Sequence, residues 1–471
     1  MLYRLKLLLS GQNTKKERVR AKLEIDISIV FVMLGLLTFG WVMVTSASMI
    51  VALDDYNNPY FYSIRQGFFA VIAVFLFLLA LLVPTKNYEF FNISKLLDIL
   101  LPLAYMIGLI VLNILLIVFT SDYLLAILSS TLYCVLIYIY ISIRRTKFYE
   151  WLSSELEERM NVYWLGVIFT VLILVLIPGI GKTVNGARRW IPLLIINVQV
   201  AELAKLLAIM FFSSYISKNL EKMDLFIEGI LIPIFILGCV AVLLLMQPDF
   251  GSTVVISICV MGMLFVSGNK VRWYGLLIGA MLIMATMLVI ISPYRMHRIT
   301  GFLHPWENAN GSGYQLVQAL IGFGRGGWFG DGLGNGVQKQ FFLPEAHTDF
   351  ITSVIAEEIG VVGLMVLLVV YLFIVFRAMN IAKAAFELKR YYQAFLSYGI
   401  SFWIGFQVFV NIGVNTGLLP TKGLTLPLIS YGGSSLLIMC FTLGILVRID
   451  FENKLLADTI NPKYIYKKVK K

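Results

Sequence analysis

The strongest constraint in this chain is a series of twelve unbroken apolar segments, at roughly 27–47, 66–84, 98–119, 123–143, 162–179, 197–217, 226–246, 250–267, 274–292, 350–377, 394–416 and 425–447. Each is long enough to cross a hydrocarbon layer as a helix. Inside lipid every backbone N–H and C=O must find a partner within the protein, so such runs become helices or strands of a closed barrel. Barrel strands read as segments of about ten alternating residues, and no such alternation runs through this chain. The expected class is therefore all-α: a polytopic integral membrane protein of about twelve spans. Composition agrees, with only 14% charged residues in 471 and 59% hydrophobic. A soluble chain of this length would need far more charge to solvate its surfaces, so ordinary soluble enzymes, disordered proteins and disulfide scaffolds are excluded.

Charge sets the expected orientation. The net charge is +11, and seven Lys/Arg precede residue 25. The loops TKNYEFFNISK, IRRTKFYEWLSSELEERMN, SKNLEKMD, SGNKVRW and FRAMNIAKAAFELKRYY and the basic tail all carry Lys or Arg, as cytoplasmic loops do. The intervening loops ALDDYNNPYF, TSD and QPDFG are acidic or neutral. Both termini are then expected in the cytoplasm, with a basic N-terminus over 1–25 and a basic tail over 451–471. The first 22 residues are polar and basic and lead into a full span, without the pattern of a cleaved signal peptide. One outside loop breaks the rule: GKTVNGARRW holds Lys182, Arg188 and Arg189, which marks it as a functional candidate. The bases are scattered over short loops, which disfavours nucleic acid as a partner. The four cysteines (Cys134, Cys239, Cys259, Cys440) lie inside apolar runs without metal-ligand spacing and read as small core residues.

The largest segment between spans is 293–349, on the outside. It holds ten glycines between 311 and 336 and all three histidines, His297, His304 and His347. Connections of that length are usually functional. No GxxxxGK[ST] occurs, so ATP hydrolysis is disfavoured. GFGRGG fits a dinucleotide-binding pattern in letters only, without a strand–helix unit around it. The glycines either lend backbone N–H groups to a phosphate or sugar or make a pliable loop.

Chemistry concentrates at FLPEAHTDF, where Glu345, His347 and Asp349 precede a span. Asp349 has two readings: a cap on the following helix, or a carboxylate at the membrane–water boundary whose burial makes it a better general base. His347 could tune it, bind a phosphate or hydrogen-bond within the loop. Glu357 and Glu358 fall about 12 Å deeper at helical rise and read as members of ion pairs, since lone carboxylates there are costly. Glu202 and Lys205, at i and i+3 in QVAELAK, read the same way. Arg188, Arg189, Lys182, Arg295, Arg298, Arg325, Lys339 and Lys422 lie on outside segments and suit a pyrophosphate, another anionic headgroup, or ordinary headgroup contact. The residues alone leave two classes: an enzyme acting on a lipid-linked anionic substrate, or a transporter or flippase for one.

The strings MVTSASM, NGARRWI, QPDFG, GSGYQLVQ, GLGNGVQK, LPEAHTDF, EEIG and LLPTKGLTLPLISYGGSSLL resemble the SEDS family (shape, elongation, division and sporulation proteins), from the first span to the last. NIGVNTGLLPTKGLTLPLISYGGSS resembles the division branch more than the elongation branch. The resemblance implies a SEDS-type helical bundle and a peptidoglycan glycosyltransferase that polymerises lipid II outside the cytoplasmic membrane. It carries the family's essential acidic residue onto Asp349, as base of an inverting displacement. Arg188, Arg189 and Lys422 are candidates to offset the leaving pyrophosphate, and Glu345, His347, Lys339 and Ser430 to contact substrate. A divalent cation such as Mg or Mn could assist, though no ligand set is legible. The implied partners are lipid II, the nascent strand on undecaprenyl pyrophosphate, a class B penicillin-binding transpeptidase and other divisome membrane proteins, at the septum of the inner membrane. The alternatives are a lipid II flippase on the same body, an elongation-type polymerase, or a membrane scaffold for division. Family members usually have ten spans, so the hairpin 98–143 reads as an insertion into one transmembrane domain over 26–450. Val200 stands where QPAE has proline, and Ala319 where the YQ motif has serine.

Overall fold

The computed structural model describes residues 25–89, 160–184, 186–193, 196–270 and 293–460, with scattered positions between 273 and 290. The hairpin 98–143, Cys134, the extreme termini and most of the apolar run 274–292 lie outside the described residues. The chain divides into two compact units, one of residues 1–12 and 82–164, the other of 13–81 and 165–471. In the first, the described residues form a short helix, Thr85–Glu89, and the start of a longer one at 160. Everything below concerns the second.

The chain is mostly helical and spans the membrane many times. Its helices are α1 (Ile27–Tyr56), α2 (Phe61–Leu82), α3 (Met160–Leu174), α4 (Val200–Lys218), α5 (Ile232–Met246), α6 (Phe250–Val266), α7 (Pro293–Leu303), α8 (Tyr314–Gly326), α9 (Ile351–Glu387), α10 (Tyr391–Asn415) and α11 (Gly433–Ile460). Among the described residues, seven helices are long and apolar enough to cross a membrane, and α6 and the stretch Trp164–Leu174 are shorter apolar helices. Those nine match nine of the twelve apolar segments. The middle of the unit is α10, which packs against α9, α4 and α6, while α8 and α1 lie against α9.

Local chemistry sets the helix ends. The Asp26 carboxylate accepts the Ser28 N–H at 3.1 Å and starts α1, and Arg377 near the far end of α9 donates to the same carboxylate. Asp249 of QPDFG starts α6 by accepting from Ser252 N at 3.1 Å and Ser252 Oγ at 2.8 Å. Such caps satisfy N–H groups that the first helical turn leaves orphaned.

Three features differ from the sequence expectation. The basic loop GKTVNGARRW and the residues after it contain an antiparallel meander of β1 (Lys182–Val184), β2 (Ala187–Leu193) and β3 (Ile196–Gln199). Val184 pairs with Ala187, and Gly186 at the connection between these strands takes a positive φ of 74°, which glycine adopts without strain. The 293–349 segment is not a slack glycine loop: it contains α7 and α8. Finally, the last span begins at Gly433 rather than near 425, and residues 417–432 run back as irregular chain. Pro420 and Pro427 break the apolar run there, since proline lacks an N–H and clashes with the preceding turn.

Helix α9 is broken at Gly360, with φ 80° and ψ 179°. The strap after α8 supplies the missing partners. Val361 N donates to Gly327 O at 3.0 Å and Val362 N to Trp328 O at 3.1 Å. In return, Asp331 N donates to Glu357 O at 2.9 Å and Gly332 N to Glu358 O at 3.0 Å. A left-handed backbone in mid-helix suits glycine, which has no Cβ to clash. The break separates the short rod 351–359 from the long span and docks the strap after α8 on it.

Candidate active site

Asp349 closes the turn-rich segment that leads into α9. It does not cap that helix, because the cap position is Phe350 and no side chain fills it. The segment is pinned from behind at three successive carbonyls. Tyr431 N donates to His347 O at 2.9 Å. Ser430 Oγ donates to Thr348 O at 2.7 Å and accepts from Leu426 N at 2.7 Å. The Asp349 carbonyl accepts two amide N–H groups, from Asn411 at 3.0 Å and Asn415 at 3.1 Å. The irregular chain 417–432 and α10 therefore fix the backbone of PEAHTD.

The Asp349 carboxylate lies on the other side, half-buried against Gly423, where a Cβ would collide with its Oδ2. Among the described residues its oxygens carry no hydrogen bond. Its pKa is pushed up to about 7, chiefly by burial and then by the neighbouring Glu345, with Arg298 and Arg189 pulling against them and Asp249 adding a smaller rise. The carboxylate is thus partly ionised near neutrality and unoccupied by internal donors, as a proton acceptor for a bound ligand must be.

Two guanidinium groups are steered toward this carboxylate by the backbone. Arg189 donates from Nε to Gln247 O at 2.9 Å and from Nη2 to Pro248 O at 2.7 Å. Arg298 on α7 donates to Thr421 O at 2.9 Å. Neighbours along a strand face opposite sides, and Arg188 turns the other way, donating to Leu176 O at 3.0 Å. Lys422 precedes Gly423, with its ammonium 4.9 Å from the centre of the Phe250 ring. Arg189 and Arg298 therefore act on the Asp349 carboxylate, whereas the Lys422 ammonium is turned to Phe250 and Arg188 to Leu176.

His347 is wedged between Tyr62 and Tyr431, with ring centres 4.6 Å and 5.6 Å away. Burial lowers its pKa against the pull of Glu345 and Asp55, so the ring is neutral at pH 7. Glu345 accepts from Thr348 Oγ1 at 2.6 Å, and its backbone is left-handed, with φ 57°. Lys339 faces inward rather than outward: its ammonium lies 2.6 Å from Glu358 and 2.8 Å from Ser46 Oγ. Glu357 accepts from Val337 N at 2.9 Å and Gln338 N at 3.1 Å, with Arg325 at 3.7 Å. Lys205 pairs with Glu202 at 2.8 Å and donates to Gln407 at 3.1 Å. These three acids and Lys339 hold the framework rather than open on the site. Among the described residues, no group of three or more His, Cys, Asp or Glu is placed to hold a metal ion.

Sequence reasoning placed Arg298 among the outward bases without bringing it to Asp349, and it passed over Asn411 and Asn415. The available signal was the spacing of Gln407, Asn411 and Asn415: polar amides at four-residue intervals in an apolar span share one face and need buried partners.

Comparison with known proteins adds a separate line. The family model for cell cycle proteins of the FtsW, RodA and SpoVE type matches residues 94–455, well over half of the chain. A probable peptidoglycan glycosyltransferase FtsW from Francisella salina is 77% identical over 471 residues, covering 100% of both chains. A probable peptidoglycan glycosyltransferase FtsW from Allochromatium vinosum is 43% identical over 433 residues, covering 92% of this chain and 91% of the other. Among solved structures, a chain from a peptidoglycan synthase complex that coordinates polymerization and crosslinking matches with a TM-score of 0.62 at 24% identity, over 92% of this chain and 99% of that one. The rod shape determining protein RodA of Thermus thermophilus matches at a TM-score of 0.51 and 24% identity, over 91% of this chain and 97% of that one. At that identity the structural matches speak to the fold.

Proposed function

Because the chain belongs to the FtsW, RodA and SpoVE family of cell cycle proteins and is a peptidoglycan glycosyltransferase of cell division, we propose that it polymerises lipid II with Asp349 as the general base. The single observation that supports this role is the Asp349 carboxylate, pinned through its backbone and pushed up to about 7. It takes the proton from the 4-hydroxyl of the acceptor GlcNAc as that oxygen attacks C1 of the MurNAc at the reducing end of the growing strand. The C1–O bond to the diphosphate breaks as the new glycosidic bond forms, with inversion at C1. Undecaprenyl diphosphate leaves with the bonding electrons, and Asp349 then returns its proton to water. Arg189 and Arg298, with Lys422 beside them, offset the charge that develops on the departing diphosphate. This placement favours Arg189 over Arg188 for that task.

The reading also has the site facing outward, both termini in the cytoplasm, enrichment at the septum and a class B penicillin-binding transpeptidase as partner. The charge asymmetry of the loops supports the orientation, and the likeness to a chain from a polymerising and crosslinking complex supports the partner.

The test is Asp349→Asn in proteoliposomes supplied with lipid II. Loss of glycan strands with the fold retained is expected. Undiminished polymerisation by the variant overturns the base assignment, and translocation of lipid II without any polymer from the unaltered protein favours a flippase.

A further inference from the structure

Helix α10 carries three amide side chains at four-residue spacing, Gln407, Asn411 and Asn415, all 0–1% exposed. They form a ladder along one face of the helix, as i and i+4 positions do. Gln407 accepts from Lys205 at 3.1 Å and Trp403 Nε1 at 2.7 Å, and donates to Thr425 O at 2.9 Å. One turn on, Asn411 accepts from Thr352 Oγ1 and donates to Leu424 O at 2.6 Å and Asp349 O at 3.0 Å. At the top, Asn415 accepts from Ser353 Oγ at 2.7 Å and donates to Asp349 O at 3.1 Å. The carbonyl acceptors require the amide nitrogens on their side, and the Thr352 and Ser353 hydroxyls complete the oxygens. Neither amide can turn over without setting oxygen against oxygen.

Packing alone does not call for this arrangement. Buried amides inside a span are costly, and apolar side chains would fill the space more cheaply. What the ladder does that apolar residues could not is hold two chain segments from one rigid helix: the residue bearing the carboxylate, and the segment 424–425 next to the Gly423 that abuts it. We propose that Asn411 and Asn415 are positioning residues for Asp349, fixing through its backbone carbonyl where the carboxylate stands relative to segment 417–432. The inference rests on Asp349 being the base. Removing either amide leaves the Asp349 carbonyl short of a donor and lets PEAHTD relax, and a displacement of about 1 Å can cost roughly a hundredfold in rate.

The experiment compares Asn411→Ala, Asn415→Ala, Ser353→Ala and Asp349→Asn in the full-length protein, reconstituted in proteoliposomes with lipid II. Asn411→Ala is expected to lower kcat roughly tenfold or more while KM for lipid II stays within about twofold. Its acid limb of activity against pH should move to lower pH, because a loosened carboxylate gains water. Ser353→Ala keeps both amides and frees only the Asn415 oxygen, so a smaller fall with a smaller limb shift in the same direction is expected. A scaffold role would lower the folded fraction without moving the limb in the protein that folds. Wild-type kcat and an unmoved limb in folded Asn411→Ala and Asn415→Ala overturn the proposal. If both asparagine variants fail to fold, an unmoved limb in Ser353→Ala overturns it. Retained polymerisation by Asp349→Asn sinks the base reading itself, whereas a dead Asp349→Asn beside a fully active Asn411→Ala sinks the positioning role alone.

Discussion

The Lys339 ammonium sits 2.6 Å from Glu358, joining the 293–349 segment to a carboxylate within span α9. Ser46 of α1 donates to the same carboxylate at 2.7 Å, and the Gly334 N–H at 3.0 Å. Three separated parts of the chain thus meet on one buried charge, which ties the 293–349 segment to the helical body.

Lys339→Met should therefore destabilise the fold rather than merely weaken substrate binding. Breaking a buried pair from one side leaves the other charge uncompensated and costs about 3–5 kcal/mol, whereas replacing both members is often near neutral. Thermal unfolding in detergent should show a large drop for Lys339→Met and a substantial recovery when Glu358→Gln is added. A Lys339→Met protein of normal stability with a raised KM for lipid II would put the lysine at the substrate instead.

The pKa of Asp349 sets a pH dependence with a definite sign. The carboxyl rises from an ordinary 3.8 to about 7, and a base must be ionised to act, so polymerisation should fall as pH drops through about 7. Stability runs the other way. A group whose folded pKa is raised binds its proton more tightly when folded, so its contribution is whole below pH 3.8 and is lost as pH climbs towards 7. Asp349→Asn should therefore gain thermal stability over the unaltered protein at pH 8 but not at pH 4. Equal melting shifts at both pH values would show that the site does not strain the ionised carboxylate.

Serine 430 offers a milder probe. Its hydroxyl bridges Leu426 N and Thr348 O, each at 2.7 Å, and the side chain is 4% exposed. Ser430→Ala strands a donor and an acceptor, at about 1–3 kcal/mol. The expected result is a folded, less stable protein with kcat reduced several-fold, because Thr348 is adjacent to Asp349, the proposed base. Unchanged kcat together with reduced stability would confine the serine to a packing role.

These sites differ in how far they could be read from the sequence. Nine spans were legible because hydropathy is a local property, whereas the role proposed for Asp349 came from resemblance to a family motif. The ion pair Glu202–Lys205 was legible because i and i+3 residues meet on any helix. The strands at 182–199 were not read, since runs of three to seven residues carry little periodic signal among long apolar spans. Segment 425–432 looked like the start of a span because Leu426, Leu428 and Ile429 are apolar, yet all three are buried in protein. The inward turn of Lys339 and the convergence of Arg298 on Asp349 depend on contacts between residues far apart in sequence, which spacing does not encode.

Glycine 423 gives the sharpest test of site geometry. A Cβ there would overlap Asp349 Oδ2, and the Asp349 Cγ would lie 3.3 Å away. The glycine is exposed and its own conformation is not left-handed, so alanine costs little in backbone terms. The clash falls on the tip of one short side chain, which can swing aside while its backbone stays gripped by Asn411 and Asn415. Gly423→Ala should therefore leave thermal stability and lipid II binding near those of the unaltered protein and displace the carboxylate from the acceptor hydroxyl. A rate loss of roughly tenfold to a hundredfold is expected from such a displacement, read as glycan strands formed per unit time in proteoliposomes. Gly423→Ser, of similar reach but able to hydrogen-bond the carboxylate, should lower the acid limb of the pH profile as well, because a donor stabilises the ionised form. Full activity in both variants would mean that the carboxylate works from a position away from Gly423, and the geometry proposed for Asp349 would have to be abandoned.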